Sequence, residues 1–423
     1  MKYYLVGIKG TGMSSLACFL KDLGYYVIGS DTEDEYFTSE ILRKRKIETL
    51  IFNKNNITSD FVYIIGHAYN EENEEVSKII LNDFEHYYYN EFIGQIIDKN
   101  IIAISGTHGK TTTAAFLSQM FNKEASYIIG DGTGYGTNET NLLVLEACEY
   151  KEHFLKYSPF VTLITNIDYD HPDYFINISD TISSFQKLAN KSKLLIINND
   201  DENTRKIKHN NKYTFGFNND SNYKISIEEQ NHLGYKIMLL DKINKHQYHF
   251  NIGFLGKHYI YDFVGAVVCM LVLNKMPYLE NLTLPLRRLT EYKYGKSILV
   301  DDYAHHPKEI KCLFETIKMK YPDFKKNVIF QSHTYSRTTR FIEEFKEALL
   351  MFDDVYIEET FTSKREKINK ELENKIEVLF SCFNKFDNTT LNKINYNKKE
   401  VWIFLGAGIV NKYIFDILEN NKV

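Results

Sequence analysis

The stretch Ile101–Leu117, IIAISGTHGKTTTAAFL, constrains this chain more than any other. The apolar run Ile101 to Ile104 suits a buried parallel strand, and Thr111 to Met120 reads as a helix that opens with hydroxyls at its positive end. A glycine turn joins them. Backbone N–H groups at such a turn can face phosphate oxygens. A regular phosphate loop reads G-x-x-x-x-G-K-[ST]. Here Gly106 and Gly109 are separated by only two residues, so the loop is G-x-x-G-K-T. Lys110 and Thr111 still follow Gly109 directly, where a cation can reach the β/γ-phosphates and a hydroxyl can reach Mg²⁺. The stretch Gly106, Thr107, His108, Gly109, Lys110, Thr111 and Thr112 is therefore the candidate nucleotide loop.

A chain of 423 residues exceeds what one core usually supports, so two or three domains are expected. A hydrophobic content of 43% with 14% aromatics argues against disorder. No apolar run approaches the roughly 20 residues that span a bilayer, and the start YYLVGI lacks the features of a signal peptide, so no membrane role and a cytoplasmic setting are expected. The net charge of −5, from 51 basic and 56 acidic residues spread along the chain, leaves no basic footprint for nucleic acid. Cys18, Cys148, Cys269, Cys312 and Cys382 show no C-x-x-C spacing and read as reduced, mostly core thiols, without a zinc site.

Periodicity divides the chain into three α/β segments. The first runs strand Tyr3 to Ile8, a glycine turn, a helix to about Leu23, Gly24 as its cap, and strand Tyr25 to Gly29, with Asp31 where Rossmann-like domains place a ribose-binding acid. Tyr87 to Asp98 reads as an aromatic and polar connection, with a boundary near residue 95. The second has strands Leu142 to Leu145, Val161 to Thr165 and Leu194 to Ile197, an antiparallel-looking stretch Tyr213 to Phe254, and a helix Tyr259 to Leu273. A linker with two prolines, NKMPYLENLTLPLRRLTEYKYG, precedes the third. That segment reads strand Ile298 to Val300, helix from Pro307, strand Val328 to Gln331, helix Thr339 to Leu350, strand Val355 to Ile357, strand Trp402 to Leu405 and a last helix. SKREKINKELENK reads as a solvated helix.

Glu146 ends NLLVLE and His171 lies just past another strand, in TLITNIDYDHPDYF. Ligands of open α/β sheets bind beyond the carboxyl ends of the strands, so both should face the crevice of Thr111. Two oxygens and an imidazole there suit Mg²⁺ bridged by phosphates.

The phrases SGTHGKTTT, EACEYKEHFL, TNIDYDHPDYF, RRLTEYKYG, DDYAHHPKEI, QSHTYSRT and FLGAG, in this order, resemble the Mur ligases, as does GIKGTGMS at the start. The resemblance runs through nearly all the chain. It implies an α/β fold of three domains: a Rossmann-like domain over residues 1–95 for a UDP-sugar, a central P-loop ATPase-type domain over 96–287, and a Rossmann-like domain over 288–423 that closes on ATP and an amino acid. It further implies ATP and Mg²⁺ as cofactors, UDP-N-acetylmuramate and L-alanine as substrates, an acyl-phosphate route with release of ADP, and a monomer or homodimer.

Residue by residue, the resemblance assigns Lys110 to the β/γ-phosphates, Thr111 and Glu146 to the metal of ATP, and His171 to a second metal. Arg288, Asp302 and His306 would serve ATP, and His305 would act in catalysis. Tyr303 would line the substrate site, and Arg337 would take the alanine carboxylate with its guanidinium fork. Gly10, Thr11, Gly12, Met13 and Asp31 would hold the UDP-sugar. The likeness departs at Lys9 and Ser15, where glycine is usual, and at Tyr259 and Asp262, which replace asparagines near the adenine. A murein-peptide recycling ligase also fits IIGHAYNEENEEV, whereas EACEYKEHFLKY leans towards alanine addition. A nucleotide switch would explain the loop but not DDYAHHP, and a nicotinamide oxidoreductase only the first segment.

Overall fold

Parallel strands buried on both faces read as continuous apolar runs, and such runs form the centre of each sheet. The computed structural model describes residues 1–362, residue 366 and residues 368–420. Among these, three sheets form. The first holds β1 (Lys2–Val6), β2 (Tyr26–Asp31), β3 (Glu48–Ile51), β4 (Val62–Ile65) and β5 (His86–Tyr88) in the order β3-β2-β1-β4-β5, all parallel. The stretch expected to be a plain connection thus supplies β5 and a helix, Tyr89–Gln95. Its tyrosines are half-buried and Phe92 is buried, with Tyr87 packed against Phe92 and Phe92 against Tyr3.

The second sheet holds β6 (Asn100–Ser105), β7 (Ser126–Ile128), β8 (Gly134–Tyr135), β9 (Leu142–Glu146), β10 (Val161–Ile164), β11 (Leu194–Asn198), β12 (Lys212–Gly216), β13 (Tyr223–Asn231), β14 (Gly234–Asp241) and β15 (His246–Ile252). Its order is β15-β14-β13-β12-β11-β10-β6-β9-β7-β8. The stretch expected to be antiparallel from Tyr213 begins instead with β12 parallel to β11, and only β13 to β15 form an antiparallel meander.

The third sheet orders β16 (Thr290–Tyr294), β17 (Ser297–Asp302), β18 (Lys325–His333), β19 (Asp354–Phe361), β20 (Asn384–Lys385) and β21 (Glu400–Leu405) as β16-β17-β21-β18-β19-β20. The linker's end, TEYKY, forms β16, antiparallel to β17. The helix expected over Thr339 to Leu350 is two, Tyr335–Arg340 and Ile342–Leu349. The expected SKREKINKELENK helix falls partly outside the described residues, and the helix described there is Lys370–Leu379.

One apolar cluster joins the first two sheets, with Leu5, Phe19 and Phe92 packed together with Leu143, Phe154 and Phe185. The approach is close at the backbone: a Cβ on Gly134 would stand 2.0 Å from the carbonyl of Ser15 in the Thr11–Asp22 helix. Two cysteines are buried, Cys18 and Cys269, whereas Cys312 and Cys382 are exposed. The expected mostly core placement of the thiols therefore does not hold.

Candidate active site

β6 ends at Ser105, and the helix Lys110–Met120 starts after four turn residues. Gly109 caps it at φ 80° with no side-chain cap bond. A Cβ there would lie 2.3 Å from Asp262 Oδ1, so both conformation and space require glycine. An uncapped helix start leaves first-turn N–H groups free of intrahelical acceptors at the positive end of the helix dipole, which is where a phosphate binds. Asn166, just past β10, pins the loop: its carbonyl accepts from Thr107 N at 3.0 Å and its Oδ1 from His108 N at 2.9 Å.

Lys110 Nζ curls across the loop, donating to Gly106 O at 2.5 Å and Thr107 O at 2.9 Å and pairing with Glu149 at 3.0 Å. Burial alone would lower the lysine pKa, but Glu149, Cys148 and Glu146 raise it. Burial pushes the Glu149 carboxyl up, against Lys110. Glu149 also stands 3.8 Å from His171 Nε2. Sequence reasoning gave Glu149 no role, although it lies three residues beyond Glu146 at the end of the same strand.

Thr111 Oγ1 donates to Glu146 Oε1 at 3.1 Å, and Glu146 Oε2 accepts from Gly130 N at 2.7 Å. The two residues expected to share a crevice are thus joined directly. A hydroxyl and a carboxylate side by side fit Mg²⁺, which keeps waters and phosphate oxygens for its other positions. His171 reaches this region differently. It holds φ 54°, its ring lies 4.7 Å from that of Tyr150, and its Nε2 stands 3.8 Å from both Glu149 and Asp170.

The third sheet brings its own groups to the loop. Asp302 accepts from Leu289 N at 2.8 Å and Ala304 N at 2.9 Å, and burial pushes its carboxyl up to about 6 against Arg288 and those amides. Its oxygens therefore shape the turn that carries Tyr303. Of the two neighbouring arginines, Arg287 is buried on Asp301 and the carbonyls of Gly406 and Gly408. Arg288 lies over Tyr303, 5.3 Å from its ring centre.

His305 and His306 both donate their N–H to Glu309 Oε2, at 3.0 and 3.2 Å, and His306 caps the helix Pro307–Lys320. Its ring lies 4.7 Å from that of His108 in the phosphate loop. His108 Nδ1 stands 3.2 Å from Glu309 Oε1, and its Nε2 3.5 Å from Asp168 Oδ2. Burial would lower the pKa of His108, but those carboxylates hold it at about 9. Burial takes His305 and His306 down to about 4, so at neutral pH the loop histidine is charged and the pair opposite is neutral.

Arg337 stands differently from the expected free fork. It is 3% exposed, and Nε and Nη2 bind Asp170 at 2.9 and 3.1 Å while Nη1 meets His333 Nδ1 at 3.0 Å. Despite its burial, Asp170 is held well below the usual carboxylate range by His171 and Arg337. A crevice of about 10 Å³, room for about one water, lies beside them, lined by His171, Pro172, Asp173, Thr334, Arg337 and Glu366.

In the first domain Gly10, Thr11, Gly12 and Met13 open the Thr11–Asp22 helix, which has no side-chain cap. Asp31 is engaged by the turn itself, accepting from Lys9 N at 2.8 Å, Thr32 N at 2.8 Å and Tyr69 OH at 2.9 Å. Lys9 reaches away to the carbonyls of Thr32 and Asp34, and Ser15 Oγ donates to Ile129 O at 2.5 Å, so neither departure from glycine leaves an idle side chain.

Fold and loop together define a three-domain α/β protein built around a phosphate loop that its third domain touches. The model described as Mur ligase family, catalytic domain matches residues 2–100, and that described as Mur ligase middle domain matches residues 104–270. The chain belongs to the Mur ligase family, the ATP-dependent ligases of peptidoglycan synthesis.

Among solved structures it is similar to a UDP-N-acetylmuramate-alanine ligase from Thermotoga maritima, at 23% identity over 99% of both chains and a TM-score of 0.82. It is also similar to a murein peptide ligase from Psychrobacter arcticus, at 17% identity over 100% of this chain and 99% of that one, with a TM-score of 0.77. A MurF ligase from Thermotoga maritima, solved in complex with ADP, matches at 14% identity over 88% of this chain and 96% of its own, with a TM-score of 0.62. At these identities the likeness carries the fold, and the expected three-domain α/β architecture is the one found.

Proposed function

We propose that this chain joins L-alanine to the lactyl carboxylate of UDP-N-acetylmuramate, using ATP and releasing ADP, in a cytoplasmic setting. Among the described residues no helix is long and apolar enough to cross a membrane. The observation that carries the reading is the uncapped loop with Lys110 on one side and the Thr111–Glu146 pair on the other. The first-turn amides and Lys110 would bind the β- and γ-phosphates, and Thr111 and Glu146 would hold magnesium. When bound, that ion offsets negative charge on the phosphate oxygens.

A carboxylate is a poor electrophile for an amine, and phosphorylation converts one of its oxygens into a leaving group. Lys110 is fixed in place before reaction, so it can stabilise charge that develops on the transferred group at little reorganisation cost. The start of the Thr11–Asp22 helix would hold the UDP-sugar.

For the donor, the crevice between His171 and Arg337 has to widen for either candidate, and a small amino acid requires less widening than a peptide. Asp170 holds the guanidinium in place, and a donor carboxylate would approach through Nη1 or by exchange with Asp170, widening the crevice. The likeness to a murein peptide ligase makes the competing donor definite. The test supplies ATP, Mg²⁺ and UDP-N-acetylmuramate with either L-alanine or a murein tripeptide and follows ADP. Release that depends on sugar and alanine together is expected. Release that requires the tripeptide, or that ignores both donors, overturns the reading.

A further inference from the structure

His108 Nε2, Asp168 Oδ2 and His306 Nε2 lie within 4.8 Å of one another. All three atoms are buried; the two histidine nitrogens make no hydrogen bond, and Asp168 Oδ2 is paired with the Lys308 ammonium at 2.5 Å. They come from three separate places: the phosphate loop, the segment after β10, and the first turn of the third domain's Pro307–Lys320 helix. Buried polar atoms are almost always paired, so two unbonded imidazole nitrogens converging on one carboxylate call for an explanation.

The geometry is that of a ligand set. His108 Nε2 and Asp168 Oδ2 are 3.5 Å apart, close to the roughly 3.4 Å between two ligands of one tetrahedral zinc ion. Behind the His108 ring, Glu309 Oε1 stands 3.2 Å from Nδ1. A carboxylate in that place keeps the proton on Nδ1 and turns the Nε2 lone pair towards the ion. Two imidazoles and a carboxylate suit zinc-like ions better than magnesium, which prefers oxygen alone.

We propose that His108, Asp168 and His306 form a binding site for a divalent transition ion of the zinc class, bridging the phosphate loop and the third domain. This site is separate from the Thr111–Glu146 pair and does not rest on the choice of donor. Filling it has three local costs. His108, charged at neutral pH beside Asp168 and Glu309, must give up its Nε2 proton. His306 must carry its proton on Nδ1, which gives up the 3.3 Å bond from the Lys308 amide, and the Lys308 ammonium must leave Asp168. Lys308 has a side chain 66% exposed, so its ammonium can return to water. Glu309 still accepts from His305 and His306, and the helix start stays capped.

Cobalt(II) reports directly on such a site, because a tetrahedral nitrogen and oxygen environment gives it visible absorption. The full chain, in excess Mg²⁺, is expected to bind one equivalent of Co²⁺ with that absorption and to lose it when Zn²⁺ is added. His306→Asn keeps a good helix cap while removing the ligand, and Asp168→Asn preserves shape. Each should weaken Co²⁺ binding at least about tenfold, and circular dichroism identifies any variant that fails to fold, leaving the other to decide. Glu146→Gln should leave the absorption unchanged. Absent absorption, equal affinity in the His306 and Asp168 variants, or loss of binding in the Glu146 variant overturns the proposal.

Discussion

Lys110 has two partners that make different demands on its charge. It neutralises Glu149, a carboxylate only 1% exposed, and under the proposed function it also binds the nucleotide phosphates. Removing one partner of a buried ion pair costs about 3–5 kcal/mol because the other charge is left alone. Lys110→Met should therefore lower stability by about 3 kcal/mol as well as abolish turnover. Adding Glu149→Gln removes the orphaned charge and should recover most of that stability, while turnover stays at least about a hundredfold below wild type. Urea unfolding and ADP release measured on both variants separate the two roles. If activity returned together with stability, Lys110 would be a structural cation only.

At the scale of elements, the junction between the second and third domains makes a claim that pH can test. His258 lies in the first turn of the Lys257–Val272 helix, its ring centre 4.0 Å from that of Tyr259 and tilted against it, and burial together with Arg288 lowers its pKa to about 4 while Glu309 opposes. Below the ordinary imidazole value of 6.5 the unfolded chain takes up a proton that the folded chain refuses, so stability falls as pH drops from 6.5 towards 4. At pH 5 this loss is about 2 kcal/mol. His258→Gln lacks it, so the stability difference between wild type and variant should shift by about 2 kcal/mol, in the variant's favour, between pH 7 and pH 5. A difference that stays constant in urea titrations would remove the neutral imidazole from the account.

Which elements were legible follows from the same local physics. β6, β9 and β10 were readable because parallel strands buried on both faces are short apolar runs between turns. β5 and β16 were not. HYY and TEYKY are half-buried edge strands rich in tyrosine and charge, without the continuous apolar run that marks the central strands. Thr111 and Glu146 could be paired from the rule that ligands sit beyond strand ends. Glu149 and Asp170 could not be assigned, because their roles come from Lys110 and Arg337, one of them 167 residues away. The glycines at 134 and 136 lacked a reason in sequence for the same cause, since each faces a backbone carbonyl of the first domain.

Across the described residues, the contacts that set the third domain on the second include two groups: His108 and Asp168 with His306, Glu309 and Lys308, and Arg337 with Asp170. The second is a buried bidentate pair, so Asp170→Asn should loosen the domain contact by a few kcal/mol, about 3. Faster hydrogen exchange in the Tyr335–Arg340 helix and weaker alanine use at unchanged ATP affinity are the expected readouts. Unchanged exchange there would show that the pair does not hold the domains together.

The central claim is that these domains meet to activate a sugar carboxylate with ATP and pass it to alanine. Carboxyl ¹⁸O in UDP-N-acetylmuramate reports on it in a single mass-spectrometric measurement of the products formed with ATP, Mg²⁺ and L-alanine. One ¹⁸O per turnover is expected in the released phosphate, together with ADP and the alanyl amide of the sugar. Unlabelled phosphate, AMP in place of ADP, or phosphate released without amide would contradict the account.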